Sequence, residues 1–517
     1  MSPLSRAPRT ATSDRHPVDE VLPASRLFFF GLQHMLIMYA GCVAVPLVLG
    51  AVLGLDTHTI ALIVNADLLV AGIATIIQSV GLTRFFGIRM PVVAGASFTF
   101  LTPMILIGSE YGLPTMYGSM IAAGVFGMLL ARPFSKVLRF FPTLVTGCVI
   151  TIIGLSLIKV SADLIIGSDP ESANYASVQY ILLAFGVVVV IVLMNRLFKG
   201  FVRNVSALFG LAIGAVAAWL MDMAHFGSVG AAKWFGFSSP LHFGAPEFKV
   251  VPIIAMCVAM IVVFSEMTAC VLAIGDAVGK RVTDKDMARG LATDGLAACL
   301  AGFMNSVPDS TFGQNVGLIS LTKVKSRYVI TVTGVLLLVM GAIPKLGEVV
   351  ASLPGPVIGG AGLVMFAMTA AVGIQMLQKV DFEGNQNLLI VAVALGVGML
   401  PVVVPTIYQN FHRDAQFILG SAITATVLVA FVLNLLFNHL LPGQRGGQAD
   451  GGSAGGGRAG GGGETGNGVA VRAEDGHGST GVPESTAVPE GVVLPDGAGL
   501  TPGTGRTDAP READGRV

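Results

Sequence analysis

Residues 310–327, STFGQNVGLISLTKVKSR, decide how this chain must fold. The stretch lies among long apolar runs, yet it carries Gln314, Asn315, Ser320 and Thr322, with glycines at 313 and 317. A polar, glycine-interrupted segment at membrane depth is tolerated only where protein buries it or where it lines a cavity. In transporters such an interruption points to the binding site.

The residues around it are those of a polytopic membrane protein. Of the 517 residues, 53% are hydrophobic and 12% are charged, and the mean hydropathy is +0.77. A soluble domain carries about 25% charged residues. Apolar runs long enough to span a bilayer fill residues 26–441. Residues 1–25 are polar. From about Gly443 the chain turns to Gly, Ala, Pro, Thr and charge, beginning with GGSAGGGRAGGGGETGNG. Such compositions bury too little apolar surface to offset chain entropy, so 1–25 and 442–517 are expected to be disordered tails. No basic block suits nucleic acid. The cysteines, Cys42, Cys148, Cys257, Cys270 and Cys299, form no CxxC pair and read as small buried hydrophobes, so no metal site is expected. With no P-loop, HExxH or GxSxG there is no catalytic constellation, no cofactor motif and no ATP site; the chain reads as a non-enzyme powered by an ion gradient.

Fourteen transmembrane segments are expected, centred near Met38, Leu69, Ser97, Gly124, Ile150, Val187, Leu211, Val262, Ala297, Gly317, Leu336, Phe366, Ala394 and Val427. Lys and Arg fall in alternate loops. One side holds residues 84, 89, 132, 136, 139, 196, 199, 203, 280, 281, 285, 289, 323, 325, 327 and 379, and the other only 159, 233, 249, 345 and 413. The excess of positive charge marks the cytoplasmic side and places both termini there. Segment three (Met90–Met104, MPVVAGASFTFLTPM) and segment ten (Val307–Lys323) are both broken by Pro, Gly and small polar residues. Each is third in a set of seven. Seven is odd, so a repeated seven-segment unit must be inverted in the membrane, and matching breaks in the two halves are the mark of such a repeat.

Six further positions carry candidate chemistry. Glu266 lies inside the eighth apolar run, where an acid costs about 2.5–3.5 kcal/mol to insert. It reads as a group for substrate or proton, or else as half of a polar helix pair. Asp294 opens the ninth, either as a proton relay or as a cap on the backbone of segment ten. Gln33 and His34 are a polar pair in the first, suited to hydrogen bonds that shape a site. The amides of Gln314 and Asn315 offer donors and an acceptor, and a carboxylate accepts from two adjacent ring N–H groups, so Glu266 with Gln314 makes a clamp for a nucleobase edge. Phe98 offers a stacking face, or ordinary packing, and Ser97 beside it leaves room for a bulky cargo.

The run Gln314-Asn315-Val316-Gly317 through Thr322-Lys323 resembles the signature of the nucleobase–ascorbate transporter family, also called nucleobase:cation symporter-2, at every fixed position. Gln33-His34, Glu266, residues 292–295 (ATDG) and 326–329 (SRYV) are similar too. The resemblance covers residues 26–441. It implies an all-α polytopic carrier of the elevator type with two inverted seven-segment repeats and short β-strands in segments 3 and 10. Segments 1–4 and 8–11 would form a core domain, and 5–7 and 12–14 a gate domain, in a homodimer within the lipid bilayer. It implies purine binding by Glu266 and Gln314, supported by Asp294, Asn315 and His34, with proton co-transport. Gln314 resembles the purine branch more than the uracil branch. Val316 stands where many xanthine carriers have a second Asn, and with Ser97 it leans towards uric acid. Cys270 stands where other members have Asp. A uracil or other nucleobase permease, or an uncoupled anion carrier or channel on the same fold, are the alternatives.

Overall fold

The computed structural model describes residues 16–137, 143–167, 171–172, 174–383 and 385–440. The expected tail at 442–517 and the first fifteen residues of the N-terminal one lie outside them. Residues 16–25, expected within a disordered tail, are ordered instead. A 3-10 turn at Pro17–Asp19 buries Val18 fully, Asp19 pairs with Arg327 at 2.6 Å, and Ser326 Oγ donates to the Glu20 carbonyl at 2.5 Å. Specific partners across the chain hold what composition alone would leave free.

Helices dominate. In chain order they are α1 (Ala24–Val52), α2 (Thr57–Val80), α3 (Leu101–Tyr111), α4 (Leu113–Val137), α5 (Thr143–Ile166), α6 (Val178–Leu197), α7 (Phe201–Asn204), α8 (Ser206–Leu220) and α9 (Gly227–Ala231). Then come α10 (Val250–Val278), α11 (Asp284–Met304), α12 (Gln314–Thr322), α13 (Arg327–Gly341), α14 (Pro344–Ala351), α15 (Gly355–Leu377), α16 (Asn387–Val403), α17 (Arg413–Gly420) and α18 (Ala422–Leu435). Two strands, β1 (Ala94–Ala96) and β2 (Asp309–Thr311), interrupt them.

Among the described residues eight helices are long and apolar enough to cross a membrane: α1, α2, α4, α5, α6, α10, α15 and α18 continued through the π-helical turn at Leu436–Leu440. The pair α13–α14, bent by 77°, makes a ninth crossing if taken as one span. Of the other five expected centres, Leu211, Ala297, Gly317 and Ala394 fall in α8, α11, α12 and α16, and Ser97 lies between β1 and the 3-10 turn that precedes α3. Residues 94–96 and 309–311 are strand, not helix. α8 and α16 are short, and α11 is diluted by Asp284, Lys285, Asp286, Arg289 and Asp294.

α1 to α4 and α10 to α13 pack on one another, with α2 against α13 and α4 against α11. α5 and α15 form a second centre, against which α6, α8, α16 and α18 lie. In the absence of a hydrophobic drive between helices in lipid, small residues set such contacts. At the α4–α11 crossing a Cβ on Gly124 would stand 2.5 Å from the Cys299 nitrogen and 2.7 Å from the Gly295 carbonyl oxygen. Backbone cannot retreat as a flexible side chain can. Overpacking of this kind costs about 1–3 kcal/mol. Gly124→Leu is therefore expected to lower the amount of folded protein in the membrane, as measured by size-exclusion chromatography of a fluorescent fusion; a wild-type profile would show that the crossing has slack.

Candidate functional site

β1 and β2 pair antiparallel, with Ala94 opposite Thr311, Gly95 opposite Ser310 and Ala96 opposite Asp309. Two bonds extend the ladder, Ser97 N–H to the Pro308 carbonyl at 3.0 Å and Phe312 N–H to the Val93 carbonyl at 2.8 Å. Two strands this short leave both outer edges unpaired, and buried backbone groups need partners. Side chains from two different helices supply them. Thr75 of α2 accepts from the Ala94 N–H at 3.0 Å and donates to the Ala94 carbonyl at 3.2 Å. Asp294 of α11 accepts from the Thr311 N–H, from Ser310 Oγ at 2.6 Å and from Gln78 Nε2 at 3.1 Å. Of the two roles open to Asp294 in the sequence, this geometry is that of the backbone cap. Gly95 is needed because α1 crosses β1 closely: a Cβ there would stand 2.8 Å from Met38 Cε and 2.9 Å from Cys42 Sγ.

The interrupted segments meet α10 at Glu266. Its carboxylate accepts from Thr99 Oγ1 at 2.8 Å, in the 3-10 turn Phe98–Phe100 that follows β1. One turn further along α10, Cys270 Sγ lies 3.3 Å from where a Cβ on Gly313 would be. Gly313 immediately precedes Gln314, the first residue of α12. Glu266 thus bonds to the first break, and the next turn of its helix abuts the second. Gln314 is exposed, whereas Asn315 is buried and its Nδ2 lies 3.1 Å from His34 Nδ1 and donates to the His34 carbonyl at 3.2 Å. Asn315 Oδ1 has no partner. Val316 and Gln33 are half-buried, and Ser97 is buried. Phe98 packs edge-to-face on Phe366 of α15, with ring centroids 5.2 Å apart at 88°, so one of its sides is already taken.

Thr99 and Thr75 escape a reading of the sequence because isolated threonines in apolar runs carry no pattern. A cluster was missed as well: Cys42 of α1, Asp67 of α2 and Asp309 of β2 place Sγ and carboxylate oxygens within 4.8 Å of one another, all buried. Asp67 is a single acid inside an apolar helix, which is the same signal that singles out Glu266.

A cavity of about 540 Å³ lies elsewhere, lined by Asp19, Ile88, Arg89, Lys280, Asp286, Arg289, Arg327 and Tyr328. None of the candidate site residues lines it. Its cations are partly committed, Arg327 to Asp19 at 2.6 Å and Arg289 to Asp286 at 3.5 Å.

An interrupted helix pair, a half-buried acid bonded to one break and eight helices apolar and long enough to cross a bilayer define a multi-pass membrane transporter, and solved structures share the fold. The transmembrane domain of a cyanobacterial bicarbonate transporter, BicA, matches 80% of this chain and 98% of its own with a TM-score of 0.50 at 13% identity. The murine Slc26a9 anion transporter in its inward-facing state matches 81% of this chain and 69% of its own with a TM-score of 0.56 at 12% identity. These likenesses concern fold alone.

Sequence relationships are closer. The family model Xan_ur_permease, described as a permease family, matches residues 25–407. The uric acid transporter UacT of Escherichia coli strain K12 is 41% identical over 84% of this chain and 91% of its own length. The xanthine permease of Bacillus subtilis strain 168 is 42% identical over 79% and 93%, and the uric acid permease PucK of the same strain is 40% identical over 81% and 97%. The chain belongs to this permease family, that of the nucleobase:cation symporter-2 proteins.

Proposed function

We propose that this chain imports a purine, uric acid or xanthine or both, by symport with protons. The observation that carries the reading is the position of Glu266, which accepts from Thr99 of one broken segment and lies one helical turn before Cys270, whose Sγ abuts Gly313 at the start of the other. A carboxylate there accepts from two adjacent ring N–H groups while the Gln314 amide meets a carbonyl on the same edge. Relatives at about 40% identity carry uric acid and xanthine in their names. α3 and α12 both begin just after the strands, so their positive dipole ends face the place where an anionic purine would sit. Asn315 and His34 brace the start of α12, Asp294 caps β2, and Phe98, Ser97 and Val316 border the ring.

The reading includes fourteen segments in two inverted repeats. Its support is the packing, which is unchanged when each segment is exchanged for its counterpart seven later. α2 on α13 becomes α11 on α4, α1 on α13 becomes α10 on α4, α6 on α15 becomes α16 on α5, and α5 on α15 maps onto itself. Segments 1–4 and 8–11 then form the moving core, and 5–7 with 12–14 the gate, in a homodimer with both termini cytoplasmic. Urate is largely anionic at neutral pH, and a co-transported proton offsets that charge.

Cells lacking their own purine carriers test this. With the chain expressed, labelled uric acid or xanthine should accumulate, a protonophore should abolish accumulation, and excess uracil should not compete. Competition by uracil would reassign the cargo, and uptake that never exceeds equilibrium would mark an uncoupled anion carrier or channel.

A further inference from the structure

Asp67 and Asp309 are two buried carboxylates that the purine site does not use. Asp67 is 0% exposed and Asp309 1%. Their oxygens lie within 4.8 Å of each other and of Cys42 Sγ. Among the described residues neither forms an ion pair. Among the described residues neither oxygen of Asp309 has a hydrogen-bond partner, whereas Asp67 takes bonds from Ser306 Oγ, at 3.3 Å to Oδ1, and from the Cys42 thiol. The other polar and titratable groups facing the pair bring no positive charge. From α1 come the Cys42 thiol, which takes the Ala96 N–H at 3.4 Å, and Tyr39 close to that thiol. From α11 comes Asp294, a third acid acting on Asp309 through β2.

Two ionised carboxylates in a buried site without a cation would suffer both desolvation and mutual repulsion. One proton between them removes a charge and supplies the hydrogen bond that the orphaned oxygens lack, as in other carboxyl dyads. We propose that Asp67 and Asp309 form a second proton-binding site, distinct from Glu266, that holds one proton between the two side chains and exchanges it as purine loads. With the proton bound the pair carries one negative charge, and without it two.

The strand explains how the pair would sense the cargo. Side chains alternate along β2, so Asp309 faces Asp67 while Ser310 faces Asp294. Asp309 is also in register with Ala96, the residue before Ser97 and Phe98. A change of charge at the pair therefore acts on the backbone that positions both broken segments. Exchange in step with loading rests on the symport reading above; the existence of the protonated pair does not.

Infrared difference spectroscopy on the full-length protein in liposomes tests both parts. A pH jump without purine should reveal the carbonyl stretch of a buried protonated carboxyl, lost in Asp67→Asn and in Asp309→Asn and kept in Glu266→Gln. Adding urate to the wild type should perturb the same band. Should either Asn variant fail to fold, the wild-type pH and urate spectra still decide, since an absent band overturns the proposal. A band that survives both Asn variants also overturns it, as does thermal stabilisation by sodium that Asp309→Asn removes, because a metal cation would then be the occupant. If urate never binds but the pH-induced band behaves as stated, the purine reading fails and the proton site stands.

Discussion

Glu266→Gln is expected to abolish concentrative uptake of uric acid while leaving the protein in the membrane at its usual level. The side chain keeps its shape, and its amide oxygen can still accept from Thr99 Oγ1, which now sits 2.8 Å from the carboxylate. The other end changes from acceptor to donor and turns an N–H towards the ring N–H groups that the carboxylate would accept. Hydrogen bonds to charged groups contribute about 1.5–3 kcal/mol, so purine affinity should fall roughly 10- to 100-fold. If Glu266 also carries the co-transported proton of the proposed symport, its loss should remove accumulation altogether. Radiolabelled uptake against an immunoblot of the membrane fraction separates transport from expression. Wild-type accumulation in this variant would remove Glu266 from the mechanism.

Asp294→Ala is expected to act on folding first. It deletes the acceptor for three interior donors, the Thr311 N–H, Ser310 Oγ and Gln78 Nε2, of which Gln78 Nε2 keeps the Gly290 carbonyl at 3.0 Å and the other two lose this partner. Each buried donor left without a partner costs about 1–3 kcal/mol, and a whole protein is stable by only about 5–15 kcal/mol. The variant should therefore lose most of its folded population, read as a lowered thermal midpoint of the detergent-solubilised protein. Asp294→Asn keeps an oxygen for β2 and should recover most of the midpoint and a measurable rate of uptake. A stable Asp294→Asn with no transport would instead make Asp294 a proton relay, the other role open to it in the sequence.

The part of this structure that was legible in the sequence is the part written locally. Residues 90–104 and 307–323 announce their breaks through Pro, Gly and small polar residues in apolar surroundings, and the strands lie inside both. Glu266 stands out because one acid in a run such as IVVFSEMTACVLAIG has no cheap explanation. What could not be read is who meets whom. Thr75 caps a strand nineteen residues on, and Gln78 reaches Asp294 across 216 residues. Neither bond leaves a trace in periodicity. Asp67 was legible by the rule that found Glu266, but Asp309 hides in a stretch where polar residues are already expected. Only the fold shows that the two share one buried cluster. The ordered segment at residues 16–25 makes the same point, since its polar composition suggests freedom while Arg327 and Ser326 supply the partners that hold it.

The central claim is that two interrupted segments and Glu266 hold a flat purine at membrane depth. A structure determined with urate bound tests it most directly. Density for the ring should lie between the Glu266 carboxylate and Gln314, bordered by Phe98. Density only in the basic cavity beside Arg89, Lys280 and Arg289, with the space at Glu266 empty, would contradict it.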